Sequence, residues 1–269
     1  SSRGCRTSTG DEAVQHLAEI LRAGGIAAVR GVGGYQLLAN ATSSDAIQKL
    51  RRRKRRVAKP FAVLCRTVGV AAEIAELNEV ERQQLTSPAN PIVVVRQRDA
   101  SELAGEVNPG LRDVGLMLPT TVMHERIAEL VGKPLVCTSG NLEGEPLASE
   151  VDEAEHRLAG VVDIFLHHNR PITNPIDDSV VRVIAGRAST FRCARGLAPM
   201  PLPLPKITLA ESIVGLGGHQ KSSASVATPH LAVLGPHVGE LDTVAAQENW
   251  TSQLNRFLAT TGVNDDCRM

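Results

Sequence analysis

The sequence predicts an α/β fold built on a mixed sheet and followed by a shorter second unit, and three features carry the prediction. Up to residue 166, short apolar runs alternate with amphipathic stretches, the pattern of strands and helices taking turns in a layered fold. Near residue 180 the alternation stops. Ser179 to Ile184 and Thr190 to Arg195 read as two strands joined through Ala185-Gly186-Arg187, so a hairpin is expected to add antiparallel strands at one side of the sheet. Then Ala198-Pro199-Met200-Pro201-Leu202-Pro203-Leu204-Pro205 stiffens the backbone into an extended connector and marks a domain boundary.

The elements follow in order. Thr9 and Glu12 form a capping-box pattern ahead of a helix whose apolar face is Val14, Leu17, Ala18 and Leu21, and Gly24 stops it. Ile26 to Val29 is a short strand that runs into Gly31-Val32-Gly33-Gly34, where glycines allow close backbone approach to a ligand, or simply a tight turn. Ser43 or Ser44 caps a second helix carrying Ala46, Ile47 and Leu50. Strands are expected at Phe61 to Cys65, Pro91 to Arg96, Val114 to Leu118, Pro134 to Thr138 and Val162 to Leu166, with helices near 67–76, 78–86, 121–131 and 149–159. Beyond the prolines, Ser212 to Leu216, Ser222 to Thr228 and Leu231 to Leu234 are strand-like. Asp242 to Thr260 is a helix with Val244, Ala245, Leu254, Phe257 and Leu258 on its apolar side. So small a second core is expected to be incomplete, the chain stopping at Asp265-Asp266-Cys267-Arg268-Met269.

Composition narrows the function classes. Aromatic residues make up 2 %, so the core must be built from Val, Leu, Ile and Ala, and base-stacking modes of nucleic-acid binding are disfavoured. Cys5, Cys65, Cys137, Cys193 and Cys267 lie far apart with no C-x-x-C pair, which points to buried thiols in a reducing compartment and against a disulfide frame or zinc site. His167, His168, His219, His230 and His237 lack the spacing of a zinc site, and no metal ligands are assigned. No apolar run approaches the roughly 18 residues of a membrane span and the start has no signal-peptide pattern, so a cytoplasmic location without membrane contact is expected.

Against a formal net charge of zero, the segment Arg51-Arg52-Arg53-Lys54-Arg55-Arg56-Val57-Ala58-Lys59 concentrates seven cations in nine residues. Unpaired buried cations are costly and adjacent like charges repel, so the run is either a solvated face, a nucleic-acid or nuclear-addressing patch, or one wall of a phosphate site. Its position at a helix C-terminus also suits the dipole, which favours the first reading.

Several blocks occur in a fixed order: Gly31-Val32-Gly33-Gly34-Tyr35, Arg53-Lys54-Arg55-Arg56-x-x-Lys59-Pro60-Phe61, Ala89-Asn90-Pro91, Gly115-Leu116-Met117-Leu118-Pro119, Thr138-Ser139-Gly140-Asn141, His168-Asn169-Arg170-Pro171, Asp177-Asp178-Ser179 and Arg195-Gly196-x-Ala198-Pro199. Together they resemble the YrdC-like domain of the HypF carbamoyltransferases of NiFe-hydrogenase maturation. Leu216-Gly217-Gly218-x-x-Lys221 and His237-Val238-Gly239-Glu240-Leu241-Asp242 resemble the opening of that family's Kae1-like domain. The likeness covers about residues 12–258 and extends, more distantly, to threonylcarbamoyl-AMP synthases.

The resemblance implies a YrdC-like twisted sheet, parallel and antiparallel, with flanking helices over 8–205, and over 206–269 the truncated start of a Kae1-like, actin-like ATPase segment. It also implies an activity: carbamate, derived from carbamoyl phosphate, is joined to ATP in the presence of Mg²⁺ to give carbamoyl-AMP and pyrophosphate, the carbamoyl group passing later to HypE. Positioning and charge neutralisation suffice for such a step. Lys54 and Arg56 match the family's Lys-x-Arg pair, the expected catalytic phosphate clamp, with Lys59 as a third contact. Thr138, Ser139 and Asn141, expected at the C-terminal mouth of an open α/β sheet, match ATP- or carbamate-binding positions, as do Ser179 and Arg195. Without the resemblance, the Thr138 to Asn141 block is equally a polar capping turn, Ser179 a strand-entry residue and Arg195 the surface end of a hairpin. Asp177 and Asp178 suit water-mediated Mg²⁺ but are not assigned. The alternatives are a threonylcarbamoyl-AMP synthase or a non-catalytic binder of double-stranded RNA.

Overall fold

The computed structural model describes residues 8–204, 209, 211–229 and 231–262. In chain order the elements are α1 (Gly10–Arg22), β1 (Ala27–Arg30), β2 (Tyr35–Asn40), α2 (Ser44–Lys54), β3 (Ala62–Leu64), α3 (Val68–Ile74), β4 (Ala75–Glu76), α4 (Glu79–Leu85), β5 (Ile92–Gln97), β6 (Asp113–Met117), α5 (Val122–Val131), β7 (Leu135–Ser139), α6 (Val151–Leu158) and β8 (Ile164–Leu166). The hairpin β9 (Val180–Ile184) and β10 (Arg187–Arg192) follows, then β11 (Met200–Pro203), β12 (Ile213–Gly215), β13 (Ser222–Ala227), β14 (Leu231–Gly239) and α7 (Val244–Thr261).

The first sheet has the order β10-β9-β5-β6-β3-β7-β2-β1-β8, with β4 beside β5. Parallel pairing is confined to β1 with β8, β3 with β6 and β5 with β9; the other pairs are antiparallel. The antiparallel strands are therefore spread through the sheet instead of standing at one side. Alternation sets its two layers. Ala27, Val29, Leu38, Leu64 and Cys137 face Leu17, Leu21, Ile127 and Val131 of α1 and α5, whereas Ala28, Leu37, Ala39, Val63 and Val136 belong to the core that contains Ile47, Leu50, Ile74, Ala154 and Leu158. At about 25 cal/mol per Å² of apolar surface, these two buried layers are the main source of stability.

Several local expectations change. Thr9 caps α1 by backbone geometry alone, its side chain making no cap bond, so the capping box there is absent; Ser43 caps α2 by accepting from the Ala46 amide at 3.3 Å. Strands β2 and β4 are additional. Five consecutive residues of β2 are buried because both faces are covered, which erases any alternating signal in the sequence. The proline-rich connector contains a strand: β11 pairs with β14 in a second, antiparallel sheet ordered β11-β14-β13-β12. Helix α7 packs Phe257 with Val214, Ala224 and Val226 of that sheet, but Val244 and Ala245 point to solvent and Ala246 is the buried residue of the first turn. Cys65, Cys137 and Cys193 are buried free thiols; Cys5, Cys267 and the terminal Asp265 to Met269 lie outside the described residues. Among the described residues no helix is long and apolar enough to cross a membrane.

Candidate functional site

The basic run is not one solvated face. Only Arg52, Arg55 and Lys59 are exposed, and Arg51 and Lys54 are buried. Helix α2 ends at Arg55, which takes a left-handed conformation (φ 57°). The chain then turns around the Arg51 guanidinium, which donates to the carbonyls of Arg56 (2.9 Å), Val57 (3.2 Å), Lys59 (3.3 Å), Glu106 (2.7 Å) and Val107 (3.3 Å). A planar five-donor fork suits that task as a lysine would not. Phe61, 1 % exposed, lies beneath two cations, with Arg51 Cζ 4.5 Å and Arg56 Cζ 4.8 Å from its ring centroid.

Folded this way, the run faces the end of β7. Lys54 Nζ donates to Ser139 O (2.6 Å), Asn141 O (2.5 Å) and Asn141 Oδ1 (3.0 Å), which engages all three ammonium hydrogens. Arg56 Nη1 donates to Thr138 Oγ1 (3.0 Å), and its remaining nitrogens donate to Lys59 O and Pro60 O. Ser139 Oγ donates to Asn141 Oδ1 at 2.6 Å, and Asn141 Nδ2 to Glu145 O at 2.6 Å, fixing the amide orientation. Gly140 is required here: a Cβ would stand 2.6 Å from Tyr35 Cβ and 2.7 Å from Tyr35 O. Strand β7 is antiparallel to both neighbours, β2 and β3. The site therefore lies at a strand end beside two strand starts, not at the mouth of a parallel sheet.

Beside Ser139 opens a small pocket, lined among others by Gly33, Gly34, Gln36, Thr120, Asp177, Asp178 and Arg195. The glycine loop and the 176–178 loop interlock: Ile176 N donates to Gly33 O at 2.9 Å, and a Cβ on Gly33 would meet Ile176 O at 2.2 Å. Arg195 Nε pairs with Asp178 Oδ1 (2.8 Å), its Nη atoms reach Ala89 O and Asn90 O, and Gln36 Nε2 donates to Asp178 Oδ2 (2.7 Å). Both oxygens of Asp178 are thus engaged. Asp177 is less committed, with Arg192 Nη1 3.8 Å from its Oδ2.

The charges press on one another. Burial, reinforced by Arg56 and Lys59 and opposed by Asp177 and Glu143, pulls the Lys54 ammonium down to about 7. Burial, then Arg51 and Arg192, lowers Arg56 to about 10, and burial followed by Arg56 and Arg192 lowers Lys59, whose ammonium has no hydrogen-bonding partner among the described residues. His237, from the second sheet, joins this cluster and is held down to about 4 by burial, Arg192 and Lys59. Such a cluster, in which Lys54, Arg56, Lys59 and Arg192 outnumber the nearby Asp177 and Glu143, is suited to a multiply charged anion.

The structure thus brings Lys54, Arg56 and Lys59 together with Thr138, Ser139 and Asn141, and puts Arg195 in the adjoining pocket. It does not bring Ser179. That side chain is fully buried and its Oγ accepts from the Ala194 amide at 2.8 Å, so it braces the base of the hairpin instead of facing a ligand. Sequence reasoning missed Arg51, Gln36 and Arg192. Arg51 was indistinguishable from its neighbours in the run. Arg192 is turned by a register shift between Thr190 and Arg192 that pairs Arg192 with Val180 and leaves Phe191 exposed. Among the described residues no group of three or more His, Cys, Asp or Glu is placed to hold a metal ion; His167 bonds the Tyr35 hydroxyl (2.6 Å), His219 bonds Asp242 (2.8 Å), and His230 lies outside the described residues.

Comparison with known proteins identifies the family and the fold. Residues 19–194 match the model of the Sua5/YciO/YrdC family, described as telomere recombination, and residues 208–269 match the HypF Kae1-like domain. Carbamoyltransferase HypF of Rhodobacter capsulatus is 41 % identical over 238 residues, covering 88 % of this chain and 32 % of that protein. The crystal structure of a full-length HypF in its phosphate- and nucleotide-bound form superimposes with a TM-score of 0.90 at 35 % identity, covering 94 % of this chain and 40 % of the other. Threonylcarbamoyl-AMP synthase of Mus musculus is 32 % identical over 171 residues, covering 62 % of this chain and 58 % of that enzyme. The chain spans about a third of the length of the curated HypF relatives it matches.

Proposed function

Given that the chain belongs to the Sua5/YciO/YrdC family, we propose that it binds ATP and joins carbamate to it, forming carbamoyl-AMP. The observation that carries this reading is the convergence of Lys54 and Arg56 with Thr138, Ser139 and Asn141 in one hydrogen-bonded cluster beside the pocket that Ser139 lines. In the reaction a carbamate oxygen attacks the α-phosphorus, the bond from that phosphorus to the bridging oxygen breaks, and pyrophosphate leaves with the electron pair. The residues need supply no nucleophile. Arg56 and Lys59 neutralise charge on the phosphate oxygens; Lys54 fixes the 139–141 loop and adds its field; the hydroxyls of Thr138 and Ser139 offer neutral contacts. Mg²⁺ would arrive with the triphosphate, and Asp177, the pocket carboxylate with a free oxygen, fits it as a water-mediated ligand; the ion would supply further charge neutralisation.

Carbamoyl phosphate as the source of carbamate, HypE as the acceptor and a place in hydrogenase maturation belong to the same reading, supported by the match of residues 208–269 to the HypF Kae1-like domain. The identity to a threonylcarbamoyl-AMP synthase supports a second reading, in which the acid component is N-carboxy-threonine. Pyrophosphate release from ATP, with carbamate and with bicarbonate plus L-threonine, separates them. Carbamate-dependent release with a carbamoyl-AMP mass is expected. Release that requires threonine would favour the synthase, and a chain that binds no ATP would end both readings.

A further inference from the structure

Three segments frame the candidate site beside the turn that carries Lys54, Arg56 and Lys59, and the second unit is hydrogen-bonded to each of the three. Thr243, at the N-terminus of α7, donates from Oγ1 to Gly144 O at 3.2 Å, within the turn that follows Asn141. Gln253, in the middle of α7 and 7 % exposed, donates from Nε2 to Pro175 O at 2.5 Å, two residues before Asp177. On β14, the His237 amide donates to Cys193 O at 2.7 Å, directly after Arg192 and two residues before Arg195. These three loops have little regular structure of their own to hold them. Residues 140–150 and 167–179 contain no helix or ladder strand, and Arg192 ends a strand at a register shift. A buried donor seated on a loop carbonyl removes conformational freedom that a ligand would otherwise have to remove on binding.

We propose that the second sheet and α7 act as a positioning clamp for the site, Gln253, Thr243 and the His237 backbone holding the loops that present Asn141, Asp177 with Asp178, and Arg192 with Arg195. The inference rests on the nucleotide reading only for the identity of the ligand; the holding of the loops stands without it. Gln253, Thr243 and His237 are positioning residues in this role. Because coupling is reciprocal, a ligand that orders the three loops tightens the docking of α7, and a loosened α7 weakens the ligand. Occupancy of the site is thereby communicated to the unit that matches the HypF Kae1-like domain.

Gln253→Leu gives the clean test, since Trp250, Leu254 and Phe257 line the same small pocket and accept an apolar side chain, so α7 keeps its packing while the donor to Pro175 is lost. Hydrogen exchange of the unliganded full chain should show faster exchange in 176–179 of the variant, with 139–147, which Thr243 still holds, and the α7 amides unchanged. ATP binding by calorimetry should weaken about three- to ten-fold, the range of one lost hydrogen bond, and ATP should slow exchange across 244–261 more in the wild type than in Gln253→Leu. Thr243→Ser, which keeps the hydroxyl, should behave as wild type. Unchanged loop exchange in Gln253→Leu would overturn the clamp. Faster loop exchange in a chain that binds no ATP would leave the clamp standing and overturn the nucleotide reading. Loosened loops with undiminished ATP affinity would overturn the coupling and with it the proposal.

Discussion

Lys54→Met should change how stability depends on pH, and the size of the change follows from the site. Lys54 is 2 % exposed, its partners are neutral carbonyl and amide oxygens, and burial together with Arg56 and Lys59 lowers it from 10.5 to about 7. For a base lowered on folding, the cost of keeping its charge buried is present in full below the folded value and is gone above the unfolded one. Between about 7 and 10.5 the unfolded chain holds one more proton than the folded chain, so stability rises with pH by about 1.4 kcal/mol per unit from this group. Urea unfolding at pH 7.5 and 9.0 should therefore show the wild type gaining about 2 kcal/mol relative to Lys54→Met. Titrating groups that do not interact with Lys54, the buried thiols included, cancel in that difference. Parallel stability profiles for the two proteins, within about 0.5 kcal/mol, would refute the argument. The same protonation appears in binding. At pH 8 the unliganded ammonium is mostly neutral, and a triphosphate should restore its charge, drawing in most of a proton per ATP, read from calorimetry in buffers of different ionisation enthalpy. Near pH 6, where Lys54 is already charged, its share of the uptake should fall toward zero.

Phe61→Leu keeps an apolar side chain in the core but removes the ring beneath Arg51 and Arg56; ATP affinity should fall about two- to five-fold, from roughly 0.5–1 kcal/mol per stacked cation, with the fold retained by circular dichroism. Gly140→Ala forces a methyl group against the Tyr35 backbone, so thermal or urea unfolding should show a loss of about 1–3 kcal/mol, with ATP binding weakened as Asn141 is displaced; a neutral variant would mean the loop has room that the structure denies it.

The layers of the first sheet were legible because α1, α5 and most strands keep a clear period, and the pairing of Lys54 and Arg56 with Thr138 to Asn141 was legible because those blocks carry a family resemblance. What stayed hidden has physical causes. Strand β2 is buried on both faces and shows no alternation, so the Gly31 to Gly34 loop was separated from the strand it feeds. Ser179 resembled a ligand-binding hydroxyl because sequence cannot tell an acceptor facing a pocket from one that satisfies a buried amide. Arg51 and Arg192 were obscured for opposite reasons: one lay among six other cations, and the other depended on a register shift that exists only once β9 and β10 are paired. The proline connector was read as a spacer, yet prolines are tolerated on edge strands, and β11 occupies the edge of the second sheet.

The polarity of α2 explains why the site needs so many side-chain cations. Many phosphate sites place a helix N-terminus at the anion, where free amides and the positive end of the dipole supply the attraction. Here α2 ends at the site, presenting its C-terminus and the negative end of its dipole. That end favours Lys54 and repels a phosphate, so attraction has to come from side chains beyond it: Arg56 and Lys59 on the turn organised by Arg51, and Arg192 on the opposite strand. The cations also repel one another, and among the described residues Asp177 and Glu143 oppose them at Lys54, so burial and mutual repulsion hold Lys54 and Lys59 below their ordinary values. A polyanion relieves this strain most when every loop is in register. Of the charged groups, Arg192 adjoins the Cys193 carbonyl bonded to the His237 amide, and Asp177 follows the Pro175 carbonyl bonded to Gln253, which links the charge problem at α2 to the docking of the second unit.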